Sequence, residues 1–378
     1  MNKPKIWLSS PHMGGKEQAF VKEAFETNWV APLGPNVDGL EQDLISFTGS
    51  KNSAALSSGT SAIHLALIIL GVKHGDYVLC QSFTFSATAN PILYQGAIPV
   101  FIDSEKDTWN MSPELLEEAI MDLASKNIKP KAIIPVHLYG VPAKMSEINA
   151  IAEKYDIGII EDAAEALGST INDKACGTFG TLGALSFNGN KIITTSGGGA
   201  LLSDNESYVK EARFLATQAR DSAPHYQHSK IGYNYRMSNI AAGIGRGQMQ
   251  VLNERISQRR NNFFHYKNSF KDLKGITFLD ELPGYFANRW LTCILVDPNL
   301  TGGITRENIR LALEKENIEC RPLWKPMHLQ PIFMDYMFYG NGVSEELFNY
   351  GLCLPSGSNL TKVELDRVTN SIKNVLLA

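Results

Sequence analysis

Little in this chain suggests a stapled, membrane-spanning or nucleic-acid-binding protein. Of 378 residues only five are cysteine, at positions 80, 176, 293, 320 and 353. They are odd in number, far apart and form no Cys-x-x-Cys pair, which argues against a disulfide framework or a zinc knuckle and leaves reduced, buried thiols. The most apolar stretch, Leu65 to Val72, falls far short of the roughly 18 residues that a membrane span needs. Near the N-terminus only Ile6-Trp7-Leu8 separates Lys3 and Lys5 from Ser9-Ser10-Pro11. That is too short for the apolar core of an export signal, so a cytoplasmic protein without a membrane partner is expected. Like charges never run beyond a pair such as Glu117-Glu118 or Arg259-Arg260, and 35 basic against 39 acidic residues leave a net charge of −4. Nucleic acid is not an expected partner on that balance. Internal repeats and low-complexity tracts are also lacking, so no solenoid or propeller is indicated.

What is present is an ordinary globular composition, 44% hydrophobic and 20% charged, on a chain long enough for about two domains at roughly 150 residues each. Strand, turn and helix recur. Strands are expected at 53–57, 77–81, 98–102, 132–136 and 157–160, with helices at 61–70, 86–94, 113–124 and 144–155 between or after them. Short, continuously apolar strands alternating with helices predict an α/β fold whose mostly parallel central sheet is flanked by helices. Beyond residue 203 helices dominate, at 206–218 and 239–270. The remainder reads as a small α+β unit: strand 290–296, helix 306–316, strand 319–323 and helix 363–377. The division placed on this pattern is a large domain over 1–255 and a small one over 256–378. Ligands of open parallel sheets lie beyond the carboxyl ends of the strands, where the loops after the first, second, fourth and fifth strands converge.

Candidate chemistry gathers at those loops. Asp162, in Glu161-Asp162-Ala163-Ala164-Glu165, stands where an apolar strand stops, either as the cap of a following helix or as a working carboxylate. Lys191 is flanked by apolar segments and followed by Ser196-Gly197-Gly198-Gly199. Partial desolvation there lowers an amine's pKa and makes it a nucleophile toward a carbonyl, although a lysine beside a glycine-rich turn is often just solvated. An amine and an upstream acid together suit pyridoxal phosphate, which needs one for its aldehyde and the other for its pyridinium nitrogen. Ser58-Gly59-Thr60-Ser61, at a strand-to-helix turn, offers N–H groups and hydroxyls for its phosphate, or simply caps the helix. Phe83 and Phe85 offer rings for the cofactor's face, with core packing the alternative for at least one of them. His225 and His228 are three apart and could share a helical face, but no carboxylates accompany them and no metal site is expected.

In order along the chain, Ser58-Gly59-Thr60, Phe83-Thr84-Phe85, Glu161 to Glu165, Ser186 with Asn190-Lys191, and Gly232-Tyr233-Asn234-Tyr235-Arg236 resemble the DegT-type nucleotide-sugar aminotransferases. These are pyridoxal phosphate enzymes of the aspartate aminotransferase fold, fold type I, and the similarity runs from Leu8 to Gly357. Asn28 to Gly34, Gly189 to Gly199 and Arg321 to His328 are most similar to the EpsN and PglE type, which acts on UDP-4-keto-6-deoxy-N-acetylglucosamine. The resemblance implies that Lys191 forms the Schiff base, Asp162 pairs with the pyridinium nitrogen and Phe85 stacks on the ring. It implies that Gly59, Thr60 and Ser186 hold the phosphate, with Asn234 reaching in from the second subunit of a homodimer. Glu165, where many relatives carry Gln or His, would lie near the phenolic oxygen of the cofactor. Trp29, Ala31, Arg321, Trp324 and His328 are candidates for the substrate, with Trp324 and His328 alternatively packing between domains and Trp29 alternatively anchoring the N-terminus to the core.

A lysine at 191, where dehydratase relatives carry histidine, implies a transaminase. It would take nitrogen from L-glutamate, leave 2-oxoglutarate and pyridoxamine phosphate, and aminate C4 of a UDP-4-keto-6-deoxy sugar. A GDP- or dTDP-linked sugar of the perosamine kind is the alternative substrate. A binding protein that merely retains the fold is the alternative of another class, with no need to keep Lys191, Asp162 and the phosphate turn together.

Overall fold

The computed structural model describes residues 3–377. Eight strands form its large sheet, in the spatial order Asn52–Leu56, Gly199–Ser203, Leu182–Ser186, Gly158–Asp162, Ala132–Ile134, Tyr77–Gln81, Ile98–Ile102 and Phe338–Tyr339. Seven run parallel, and Gly199–Ser203 alone is antiparallel to both its neighbours. The mostly parallel α/β sheet read from the sequence is therefore present. Helices cover both of its faces, and four of the five expected parallel strands have every residue after the first buried. Ser112 caps the helix Pro113–Ser125 by accepting the Leu115 N–H, with Pro113 at the first helical position, where the missing donor costs nothing.

The departures have local causes. Leu182–Ser186 and Gly199–Ser203 were not expected as strands, because two glycines and two alanines stand where β-branched and aromatic residues would mark a strand. The helical stretch 239–270 is two helices, Asn239–Met249 and Leu252–Phe270, broken at Gln250-Val251. A second sheet of four strands, ordered Ile276–Phe278, Thr292–Val296, Gly351–Leu354 and Arg321–Pro322, is packed by Arg306–Lys315 and Lys362–Leu376. The two units exchange segments: Phe338–Tyr339 joins the large sheet beside Ile98–Ile102, while Ile6 bridges Ile318 and lies in the core of the smaller unit. A single division at 255/256 does not capture these crossings. All five cysteines are buried and unbridged.

Between Leu182–Ser186 and Gly199–Ser203 the chain loops out over residues 187–198, carrying Lys191. The loop is cinched by Phe187 donating to the Gly198 carbonyl and Thr195 donating to the Phe187 carbonyl. Its return strand begins with Gly199, whose α-carbon abuts the turn at Ser58-Gly59. A Cβ there would stand 2.4 Å from the Gly59 nitrogen. Because the obstacle is backbone, Gly199→Ala is expected to lower stability by about 2 kcal/mol through overpacking. Urea unfolding of the variant checks this, and an unchanged midpoint would contradict it.

Candidate active site

The loops at the carboxyl ends of the large sheet meet the smaller unit around a cavity of about 710 Å³. That size is ordinary for a small-molecule site. Of the residues expected to do chemistry, Gly59, Thr60, Phe85, Asp162, Glu165, Ser186, Lys191, Arg321 and Trp324 all line it.

Asp162 ends its strand and is almost fully buried. No helix follows it, so it is not an N-cap. Instead its carboxylate is oriented from two sides: Thr88 donates its hydroxyl to Oδ2 at 2.6 Å and the Ala164 N–H donates to Oδ1 at 3.1 Å. Thr84, in turn, is hydrogen-bonded to Thr88 at 2.7 Å. Glu161 serves a different purpose. The strand alternates its side chains, so Glu161 faces away and is consumed by His137 Nε2 at 2.8 Å and the Gly177 N–H at 2.8 Å. His137 Nδ1 faces the Ala143 N–H at 3.0 Å, which leaves Nε2 to donate to Glu161.

Lys191 and Glu165 form a buried pair. Lys191 Nζ lies 3.2 Å from Glu165 Oε1 and 4.3 Å above the Trp290 ring, while the Tyr139 N–H donates to Glu165 Oε2 at 2.6 Å. Burial pushes the Glu165 carboxyl up to about 7; the Lys191 ammonium and the Tyr139 N–H oppose that rise, and Asp162 adds to it. Around the amine, Phe85, Tyr139, Trp290 and Trp324 make an aromatic wall. Trp324 sits 5.4 Å from Phe85 and 5.1 Å from Tyr139 between ring centroids, and its backbone N–H donates to the Tyr139 hydroxyl at 3.0 Å. Phe83 is the ring lost to the core, whereas Phe85 is half exposed and faces the cavity.

The phosphate turn fits an anion. Ser58 accepts the Ser61 N–H and caps the helix Gly59–Ile69, leaving the first-turn N–H groups of Gly59 and Thr60 without helical acceptors. Gly59 keeps the cup open: a Cβ there would approach Ser186 Cβ to 3.0 Å. A buried carboxylate, a buried amine, an apolar ring face and a helix N-terminus around one cavity are the donor set that pyridoxal phosphate requires.

Four expected residues lie elsewhere in the single chain. Asn234 is exposed on a segment bridged to Thr217, outside the cavity. Trp29 and Ala31 are tied by their carbonyls to Asn239 and also lie outside it. His328 is turned away: its ring stacks on Phe338 at 3.6 Å and Nδ1 bonds the Ser82 hydroxyl at 2.7 Å, so it packs the loop rather than lining the cavity. His225 and His228 are in a loop, not on a helix, and His228 Nδ1 meets the Gln218 carbonyl. Thr88, Tyr139, Trp290 and Glu319 were missed. Only Thr88 had a usable signal, one turn into the helix that follows Phe85.

The chain matches the model of the DegT/DnrJ/EryC1/StrS aminotransferase family over residues 11–373. It is 54% identical to the "Putative pyridoxal phosphate-dependent aminotransferase EpsN" of Bacillus subtilis, covering 96% of this chain and 94% of that one. It is 33% identical to the GDP-perosamine synthase of Caulobacter vibrioides over 99% of both chains. Among solved structures, "Putative sugar aminotransferase Spr1654" of Streptococcus pneumoniae superposes with a TM-score of 0.90 at 25% identity, covering 100% of this chain and 99% of that one. It is known in PLP- and PMP-forms.

The raised pKa of Glu165 has a consequence for stability. Unfolded, the group ionises near 4.5; folded, it holds its proton to about 7. The folded chain therefore binds more protons between those values, and this contribution is full below about 4.5 and lost as pH climbs through about 7. Unfolding measured from pH 5 to 8 should show the parent losing stability relative to Glu165→Gln; parallel profiles would contradict the assignment.

Proposed function

The chain belongs to the DegT/DnrJ/EryC1/StrS aminotransferase family, and on that footing we propose that it moves an amino group from L-glutamate to C4 of a UDP-4-keto-6-deoxy-N-acetylhexosamine. The products are 2-oxoglutarate and a UDP-4-amino-4,6-dideoxy sugar for surface glycans. One observation carries the reading most: Lys191, Glu165, Asp162 and the Ser58-Gly59-Thr60 turn share one cavity. The choice of a UDP sugar rests on the sequence resemblance to the EpsN type, to which the chain is 54% identical, against 31 to 34% for the GDP-perosamine synthases.

The cofactor is pyridoxal phosphate, which supplies an aldehyde for amines and an electron sink for the bond that loses its proton. Asp162, held by Thr88 and Ala164, keeps the pyridinium nitrogen protonated. Gly59, Thr60 and Ser186 hold the phosphate, and Phe85 covers one ring face. Lys191 would hold the cofactor's aldehyde, and its free amine would be the base that moves a proton at the amino donor's carbon. Glu165 keeps the lysine amine in place. The smaller unit, through Arg321 and Trp324, faces the outer part of the cavity, where the sugar nucleotide enters. Arg321 is mostly exposed and pairs with Glu319 at 3.0 Å, leaving donors for a phosphate. A homodimer completes the site: Asn234, Trp29 and Ala31, none of which serves its own chain's cavity, contribute to the partner's.

Purified protein incubated with L-glutamate should lose its cofactor absorption band. Of UDP-, GDP- and dTDP-4-keto-6-deoxy sugars, the UDP-N-acetyl substrate should restore it with an amine of the expected mass. Restoration by the GDP sugar alone would assign the perosamine activity, and no response to L-glutamate with any sugar would overturn the enzyme reading. Lys191→Ala should complete no full turnovers, and turnover by that variant would remove Lys191 from the chemistry.

A further inference from the structure

Behind the lysine loop lies a charge that the catalytic scheme does not use. Arg259, on the helix Leu252–Phe270, is 1% exposed and makes no ion pair with any described carboxylate. Burial and the neighbouring Arg255 lower its pKa, to about 9, which still leaves it cationic at neutral pH. A buried cation without a counter-ion is costly, and here it is met only by neutral acceptors. One terminal nitrogen donates to the carbonyls of Trp290 at 2.5 Å and Ser356 at 3.3 Å. The other donates to the Ser9 hydroxyl at 3.0 Å and the Lys191 carbonyl at 3.4 Å.

These acceptors converge on the lysine. Ser9 passes its own proton to the Asn190 carbonyl at 2.7 Å, and the Trp290 indole N–H donates to that same carbonyl at 2.7 Å. The Trp290 ring lies beneath the Lys191 amine. Farther along the same helix, Asn262 and Tyr266 donate to the carbonyls of Gly357 and Pro355 at 3.0 and 2.9 Å. One helix face thus grips the Pro355-Ser356-Gly357 turn of the smaller unit while its guanidinium holds the backbone of residues 190 and 191, directly and through Ser9 and Trp290.

We propose that Arg259 is a positioning residue for Lys191: a guanidinium that ties the lysine's backbone to the N-terminal segment and the smaller unit, so that the amine is aimed from behind the cavity. Its placement stands whatever the substrate; its effect on turnover rests on the aminotransferase reading above. A planar fork with several donors suits this task, because four acceptors from four segments must be met at once. Lysine at 259 supplies the charge but cannot span them.

The test compares Arg259→Met, Arg259→Lys and the milder Trp290→Phe and Ser9→Ala in the holoenzyme. Hydrogen exchange of the peptide 187–198 should quicken about tenfold in Arg259→Met, and less in the two milder variants, each of which removes part of the network. In turnover, kcat should fall roughly ten- to hundredfold while KM for L-glutamate stays within about twofold, the pattern of a misaimed group. Circular dichroism in the cofactor band should weaken in parallel, with Arg259→Lys recovering part of both. Loop exchange that matches the parent's in a folded Arg259→Met would overturn the proposal. If that variant does not fold, parent-like exchange in both Trp290→Phe and Ser9→Ala overturns it equally. Faster loop exchange in Arg259→Met, together with a parent that shows no aminotransferase activity, would uphold the positioning and overturn the proposed function instead.

Discussion

An amine and a carboxylate buried side by side set the terms for the rest of this molecule. Lys191 and Glu165 stand 3.2 Å apart at the edge of the cavity, with Glu165 almost fully buried, where a lone carboxylate would be costly. The lysine offsets that cost, and the Tyr139 N–H on the far oxygen of Glu165 supplies the extra hydrogen bond that such a pair needs. The two residues arrive from the carboxyl ends of adjacent parallel strands, Gly158–Asp162 and Leu182–Ser186. The antiparallel strand Gly199–Ser203 then closes the lysine loop and, through Gly199, presses the phosphate turn against its base. A change in sheet order would separate the pair.

Elsewhere the scaffold uses several of its buried carboxylates to hold segments together. Glu41 joins Arg236 at 2.7 Å and Arg213 at 2.6 Å and accepts the Ala55 N–H, fastening the helix Pro35–Thr48 to the first strand. Glu161 is saturated by His137 and backbone donors on the side of the sheet away from the cavity. Asp103 accepts the N–H groups of Gly342 and Ser344 and so secures the start of the helix Val343–Tyr350 beside the large sheet. These groups are spent on architecture. Those lining the cavity retain capacity for a ligand, and this difference in leftover hydrogen bonding separates the working carboxylate Asp162 from its structural neighbour Glu161.

Legibility in the sequence followed the range of the forces involved. Tyr77–Gln81, Ser86–Tyr94 and Ile98–Ile102 have the boundaries that their apolar runs and turn residues predict, because burial on both faces leaves little ambiguity. Leu182–Ser186 and Gly199–Ser203 did not announce themselves. Their glycines answer to backbone contacts with distant segments, which no local propensity encodes. At the site, Asp162 and the Ser58-Gly59-Thr60 turn were legible because each sits where a strand ends, and Lys191 because apolar segments flank it and a glycine run follows. Trp290 was not, since its approach to Lys191 depends on how the smaller unit docks, and Tyr139 was not, since it reaches Glu165 only through the folded loop after Ala132–Ile134. His328 misled for the same reason: an imidazole near Trp324 in sequence is carried by the short helix Met327–Leu329 onto Ser82 and Phe338, away from the cavity.

The central claim is that the amine beside Glu165 is the one that captures the cofactor. Reducing the purified holoenzyme with borohydride and mapping the modified peptide by mass spectrometry tests it most directly. The account predicts a phosphopyridoxyl group on Lys191 and on no other lysine. Label on a different lysine, or protein that retains cofactor yet carries no label, would contradict it.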